Sequence, residues 1–224
     1  DRTIIISIAS ATNAGTGDNN SVTATILDDD IAGITPIISD AGTITSETGT
    51  QDTFELVLNT QPASNVVLEI TELDASEGQL STRELTFNSD NWDQPQIVTI
   101  TGVDDDEADG DIQYTLSISV IDELSDNAYQ GLGTTVDVIN NDNDTADFII
   151  SPSNEVLQTS ENGNSDHFTI QLSARPASDV VINITGLDET EGTLNTDEIT
   201  FTPDNWNEPV TVTVTGVNDN LEDG

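Results

Sequence analysis

Residues 60–102 read TQPASNVVLEITELDASEGQLSTRELTFNSDNWDQPQIVTITG, and residues 174–216 read ARPASDVVINITGLDETEGTLNTDEITFTPDNWNEPVTVTVTG. The two stretches align without a gap at a constant offset of 114, with 24 identities in 43 positions. Pro62-Ala63-Ser64 recurs as Pro176-Ala177-Ser178, and Phe87, Trp92, Pro95 and Gly102 recur as Phe201, Trp206, Pro209 and Gly216. Upstream, Ser46-Glu47 and Phe54 match Ser160-Glu161 and Phe168 at the same offset. A fixed period of this length marks a chain built from duplicated structural units. Inside the quoted stretch, Val66–Thr71, Glu84–Phe87 and Ile97–Thr101 are rich in Val, Ile, Thr and Phe with partial period-2 alternation, which predicts strands.

Working outward, the same composition predicts strands at Thr53–Leu58, Tyr114–Val120 and Thr134–Ile139, with one strand, or a pair split by a kink, around Ile37–Ile44. Gly, Asn, Asp and Pro punctuate the gaps, and no helical period is present. Seven strands, A to G, in about 110 residues predict an all-β, immunoglobulin-like sandwich for residues 31–144. Asp1-Arg2-Thr3-Ile4 through Ser7-Ile8 is similar to Asp111-Ile112-Gln113-Tyr114 through Ser117-Ile118. Ile26-Leu27-Asp28-Asp29-Asp30 is similar to Ile139-Asn140-Asn141-Asp142-Asn143, and Glu222-Asp223-Gly224 to Ala108-Asp109-Gly110. Residues 1–30 are therefore expected to be strands F and G of a sandwich, and residues 145–224 strands A to E of another. The whole is expected to be a tandem array in which the two partial units are completed by flanking segments or by neighbouring chains, strand by strand, to give an open filament.

The chain carries 43 acidic residues against three basic ones, Arg2, Arg83 and Arg175, for a net charge of −40. Nucleic acid and anionic membrane surfaces should repel it. There is no cysteine, hence no disulfide and no thiolate metal site, and no apolar run approaches the ~18 residues of a membrane span. The first residues do not form a signal peptide, so a mature or excised segment is expected, with any targeting signal outside it. Such acidity has three readings: disorder, which the strand alternation opposes; a halophile's solvated surface; or a store of carboxylates for hard cations. Position separates the last two, because a cation site gathers its acids in converging loops.

Strands in an antiparallel sandwich alternate in direction, so the AB, CD and EF loops and the tail after G share one pole. Glu47 lies in the AB loop, Asp74 and Glu77 in the CD loop, and Asp104, Asp105, Asp106, Glu107 and Asp109 in the EF loop, while Asp142 and Asp144 follow strand G. Carboxylates so gathered repel one another unless cations neutralise them. A ring of oxygens on flexible loops suits Ca²⁺, which takes 6–8 oxygen ligands, better than Mg²⁺ or a transition metal. The second repeat keeps Glu161, Asp188, Glu191, Asp219 and Asp223, but Asn218, Asn220 and Leu221 replace Asp104, Asp106 and Glu107, so weaker binding or fewer ions are expected there. Asp28, Asp29 and Asp30 would complete such a site from a neighbouring chain.

At these residues the chain resembles the Calx-beta family: Ser46-Glu47-Thr48-Gly49 and Ser160-Glu161-Asn162-Gly163 in the AB loop, the acidic EF loop, and the acidic run after strand G. The resemblance covers nearly the whole chain and implies Ca²⁺ bound by those loops at the domain tip, beside the following domain. Asn141-Asp142-Asn143-Asp144 with Phe148 is also similar to a cadherin linker, and the Asp-Asn-Trp-x-x-Pro stretches resemble repeats of large bacterial surface proteins. Other calcium motifs fail: Asp105-x-Glu107-x-Asp109-Gly110 opens like an EF-hand loop, but its twelfth position is Leu116, and there is no Gly-Gly pair of the kind a calcium β-roll uses.

Catalysis is not expected. His167, the single histidine, falls on a strand and reads as a solvent-facing residue. No phosphate loop or nucleophile elbow occurs, and the absence of lysine excludes a Lys–Asn isopeptide bond. Trp92 and Trp206 read as apolar plugs at the sandwich edge, with sugar stacking as the alternative. Asn19, Asn143 and Asn183 sit in Asn-x-Ser/Thr sequons, which read as coincidence. The expected function is a calcium-binding structural or adhesive repeat of an extracellular fibre, adhesin or matrix. The competing readings are a non-catalytic module of a larger secreted protein that binds a glycan, a protein or another cell-surface ligand, and a calcium-sensing regulatory domain.

Overall fold

The structure is a computed structural model, and it describes residues 1–71 and 74–218. It is almost wholly β. The strands are β1 (Arg2–Ser7), β2 (Ser21–Ile26), β3 (Ile34–Ile37), β4 (Thr43–Ser46), β5 (Gln51–Leu58), β6 (Val66–Thr71), β7 (Gly78–Leu80), β8 (Glu84–Phe87), β9 (Gln96–Gly102), β10 (Ile112–Val120) and β11 (Gly133–Asn141). They continue as β12 (Phe148–Pro152), β13 (Ser165–Leu172), β14 (Val180–Asn183), β15 (Gly192–Leu194), β16 (Glu198–Phe201) and β17 (Val210–Gly216).

β3 to β11 make a sandwich of two sheets, ordered β3-β5-β9-β7 and β4-β11-β10-β6-β8. Its core follows the period of two: Phe54, Leu56 and Leu58 of β5, Tyr114, Leu116, Ile118 and Val120 of β10, and Val136 and Val138 of β11 all point inward. Trp92 packs against this core and accepts the Leu58 N–H on its carbonyl, and Trp206 does the same for Leu172 in the next set of strands.

One element differs from the seven-strand expectation. The segment expected around Ile37–Ile44 as one strand, or a pair split by a kink, is the pair: β3 runs antiparallel to β5 in one sheet, and β4 runs parallel to β11 in the other. The crossing is a tight turn in which Gly42, at φ +86°, donates its N–H to Ser39 O. A short extra strand, β7, pairs with β9 through Gly78↔Gly102. Three residues in a Gly- and acid-rich loop carry too little alternation to be read as a strand.

β12 to β17 repeat β3 and β5 to β9 at the offset of 114, with β12-β13-β17-β15 as one sheet and β14-β16 as the other. Among the described residues nothing pairs with β14 on the side where β10 pairs with β6, and residues 157–160, the counterpart of β4, form no strand. The consequence is lost burial: Val67 is 7% exposed, whereas its counterpart Val181 is 52% exposed.

β1 and β2 form a separate two-stranded hairpin in which every strand residue is exposed. Its register pairs Ile4 with Ala24 and Ile6 with Val22, as β10–β11 pairs Tyr114 with Val138 and Leu116 with Val136. The correspondence of β2 to β11 therefore lies at 114, one residue from the match read in the sequence. A shift of one exchanges the two faces of a strand. Asp28 and Asp30, rather than Asp29, then stand where Asp142 and Asp144 stand.

Candidate metal centre

The pole of the complete sandwich is assembled from four chain segments. β4 ends in the turn Ser46-Glu47-Thr48-Gly49, closed by the Gly49 N–H on Ser46 O and by Gly49 at φ +79°. This turn leans on the end of β9, where a Cβ on Gly102 would lie 2.2 Å from Ser46 O and 2.5 Å from Asn140 Oδ1. Only glycine allows that approach, and Gly216 meets Ser160 O at the same 2.2 Å. β9 then releases the chain into the acidic loop 103–111, and β11 into Asp142-Asn143-Asp144.

Carboxylate oxygens of Glu47, Asp104 and Asp144 all lie within 4.8 Å of one another. Glu47 is only 3% exposed. Its Oε2 accepts the Asn143 N–H at 3.1 Å, and Asp104 Oδ1 accepts Asn143 Nδ2 at 3.0 Å, so one asparagine spans both acids. Burial, with the nearby charges of Asp142, Asp105 and Asp144, pushes the Glu47 carboxyl up to about 7. Asp144 is also raised, first by burial and then by Asp142, Asp104, Asp106 and Asp105. Asp142 moves the other way because its two oxygens accept the Asp144 N–H at 2.6 Å and the Gly110 N–H at 2.7 Å. Asp105 holds its own loop by accepting the Glu107 N–H at 2.7 Å.

The other expected ligands divide. Glu77 is buried, 5% exposed, and its Oε2 accepts Asn140 Nδ2 at 3.1 Å. Asp74 accepts the Ser76 N–H and hydroxyl and so stays within its own turn. Glu107 turns away to the next set of strands, where Oε1 meets Arg175 Nη1 at 3.2 Å and Asp106 O accepts the Arg175 N–H at 2.6 Å. Asp109 is exposed. Glu161, Asp188 and Glu191 occupy the same backbone places one repeat on, with Val217 N–H bonded to Glu191 O as Val103 N–H is to Glu77 O, but all three side chains are exposed. Asp188 is tied to Thr190, which lowers its carboxyl. Asp219 and Asp223 lie outside the described residues. Asp28, Asp29 and Asp30 are exposed at the end of the hairpin.

Two residues that tie the loops together carry no signal in the sequence. Asn140 is 1% exposed and joins three segments: Nδ2 donates to Glu77 and to Val103 O, and Oδ1 accepts from Thr45 Oγ1. Asp126, at the opposite pole, accepts N–H bonds from Ala63, Ser64 and Ala128, which hold its carboxyl below the usual range. His167 is exposed on β13, in keeping with a solvent-facing strand residue.

The donor set fits a hard cation. It consists of oxygens alone, it is anionic, and it includes a carboxylate buried beside other carboxylates with no cationic side chain bonded to it among the described residues. Burying unbalanced negative charge is costly. Glu47, Asp104 and Asp144 would hold the ion, with Asp105, Asp106 and Asp142 close enough to add charge.

No family model matches the chain, and no curated protein matches it. Solved structures do match by shape. The crystal structure of CBD12 from CALX1.2 aligns at 14% identity over 81% of this chain and 75% of that one, with a TM-score of 0.36. The calcium binding domain CBD12 of CALX1.1 aligns at 16% identity over 80% and 73%, with a TM-score of 0.31. The E. coli chaperone DraB aligns at 6% identity over 85% and 89%, with a TM-score of 0.38. These likenesses are too low to carry weight about the site, and the sandwich rests on its own strand pairing.

Proposed function

We propose that the chain is a calcium-binding structural module of an extracellular fibre, adhesin or matrix, in which Ca²⁺ at the sandwich pole fixes one repeat against the next. The observation that carries this reading is the convergence of Glu47, Asp104 and Asp144 within 4.8 Å, one of them buried. The Calx-beta resemblance of the Ser-Glu-x-Gly turns and of the acidic loops points the same way.

The ion would neutralise carboxylates that otherwise repel, and so stiffen the loop 103–111. That loop bears the joint: residue 107 bridges to residue 175 in parallel, and the Glu107–Arg175 ion pair closes over it. Ordering one loop thus orders the junction. The extracellular setting is proposed because an oxygen-only site on a chain of charge −40 suits millimolar calcium.

Thermal melting tests the reading. A ligand that binds only the folded state stabilises it by RT ln(1 + [L]/Kd), about 2.7 kcal/mol at 100-fold saturation. The melting temperature should rise by several degrees in millimolar Ca²⁺ and fall on chelation. A melt unchanged by verified removal of metal would leave the acids as a solvated surface.

A further inference from the structure

We infer that the parallel pair β4–β11 is the load-bearing clamp of the complete sandwich, and that calcium at the adjoining pole sets how long the clamp holds under tension. The calcium dependence rests on the Glu47, Asp104 and Asp144 site proposed above; the strand geometry does not.

Chain precedes β3 and follows β11, so tension along it enters the sandwich at β3–β4 and leaves at β11. β3 is a four-residue edge strand paired with β5 alone. β4 comes next and is bonded to the exit strand itself, through Thr43↔Val138, Ile44↔Ile139, Thr45↔Asn140 and Ser46↔Asn141. Tension cannot pass deeper into the sandwich until β4 and β11 part. This is the one parallel ladder between strands among the described residues. Pulled backward along β4 and forward along β11, parallel strands must slide past each other. Their evenly spaced bonds are then strained together, whereas an antiparallel hairpin pulled at its open end parts one bond at a time.

Side chains lock the same pair. Thr45 and Asn140 are each 1% exposed, and Thr45 Oγ1 donates to Asn140 Oδ1 at 3.0 Å. Asn140 Nδ2 donates to Glu77 Oε2 and to Val103 O, which fastens β11 to two neighbouring loops. Buried bonds of this kind have no water at hand to replace them as they stretch. At the pole the Glu47 N–H donates to Asn141 O at 3.1 Å, and Glu47 Oε2 accepts the Asn143 N–H at 3.1 Å. Glu47 directly follows β4, and Asp144 closely follows β11. A cation shared by these two carboxylates joins the entry strand to the exit strand across the sliding boundary, so the strands separate only when an ion–carboxylate contact breaks.

Constant-force stretching of the full chain, held at its two ends, tests this, because rupture under load is governed by the unfolding barrier. Opening of the segment from β3 to β11 is recognised by its length, roughly 350–390 Å of released chain. In chelator, Asn140→Ala and the milder Thr45→Val should each shorten the lifetime of that step about tenfold. Tyr129→Phe, which removes the hydroxyl bonded to Thr60 at the far pole, should speed unfolding in denaturant yet leave the lifetime under load nearly unchanged. Millimolar Ca²⁺ should lengthen the wild-type lifetime about tenfold or more, and Asp144→Asn should abolish the lengthening. Asn140→Ala and Thr45→Val lifetimes equal to wild type, or a Tyr129→Phe lifetime as short as theirs, would overturn the clamp. Calcium that binds in calorimetric titration yet leaves the lifetime unchanged would overturn its part in the clamp. Calcium that does not bind at all would overturn the site itself, and the lifetimes in chelator would still decide the clamp.

Discussion

Glu47 and Asp126 show how the same side-chain chemistry is put to opposite uses at the two poles. Glu47 is buried among acids and its carboxyl is raised to about 7. Asp126 is buried among N–H donors and its carboxyl is lowered. A carboxyl lowered on folding contributes stability above its unfolded pKa, and that contribution is lost as pH falls through the folded value. Asp126→Ala leaves three N–H groups without their acceptor and should cost about 2–3 kcal/mol at neutral pH. In denaturant titrations the gap to wild type should close as pH drops below the ordinary carboxylate range. At the metal centre, Asp144→Asn should weaken Ca²⁺ binding by tenfold or more, while Asp90→Asn, in the turn before Trp92, should leave it within twofold. Calorimetric titration of the two variants reads the difference, and equal losses would mean that diffuse charge governs binding. The acids themselves were legible, because strand alternation assigns each loop to a pole. Which acids face inward was not legible. Within Asp104-Asp105-Asp106-Glu107 the turns of the backbone decide it, and Glu107 leaves the cluster for Arg175.

At the scale of the element, the end of β9 positions the AB turn. Gly102 lets the strand pass 2.2 Å, measured from an added Cβ, from Ser46 O, which directly precedes Glu47. Backbone oxygen cannot swing aside as a side chain can. Gly102→Ala should therefore lower the melting temperature and weaken Ca²⁺ binding together, whereas Gly110→Ala, with open space around its Cβ site but φ at +83°, should act only through local strain of about 1 kcal/mol. Differential scanning calorimetry with and without Ca²⁺ separates the two effects. The strands of β3–β11 were largely legible from Val, Ile, Thr and Phe at period two. β7 escaped because it is short, and Asn140 escaped because a single asparagine in a strand carries no pattern until its neighbours are in place. The register of β1–β2 escaped for a related reason: Leu27, Asp28, Asp29 and Asp30 match either alignment, and only the pairing of Ile6 with Val22 selects one.

Across the whole molecule, the metal centre and the junction share one loop. The Glu107–Arg175 pair is 39% and 45% exposed, so solvent screens it and it should contribute less than 1 kcal/mol to stability. Arg175→Ala should leave the melting temperature nearly unchanged yet loosen the junction, seen in small-angle scattering as a broader distribution of distances in Ca²⁺. A fall of many degrees would place Arg175 in the core economy of the fold instead. The repeat itself was plain in the sequence, since an offset of 114 held from Ser46 to Gly216. The way the segments join was not, because the contact depends on which face of the loop Arg175 meets. The central claim is that the pole built by Glu47, Asp104 and Asp144 holds calcium. Anomalous scattering from crystals grown in millimolar Ca²⁺ locates the ion directly. The account predicts a calcium peak among those three carboxylates, and a map with calcium bound elsewhere and none at that pole would contradict it.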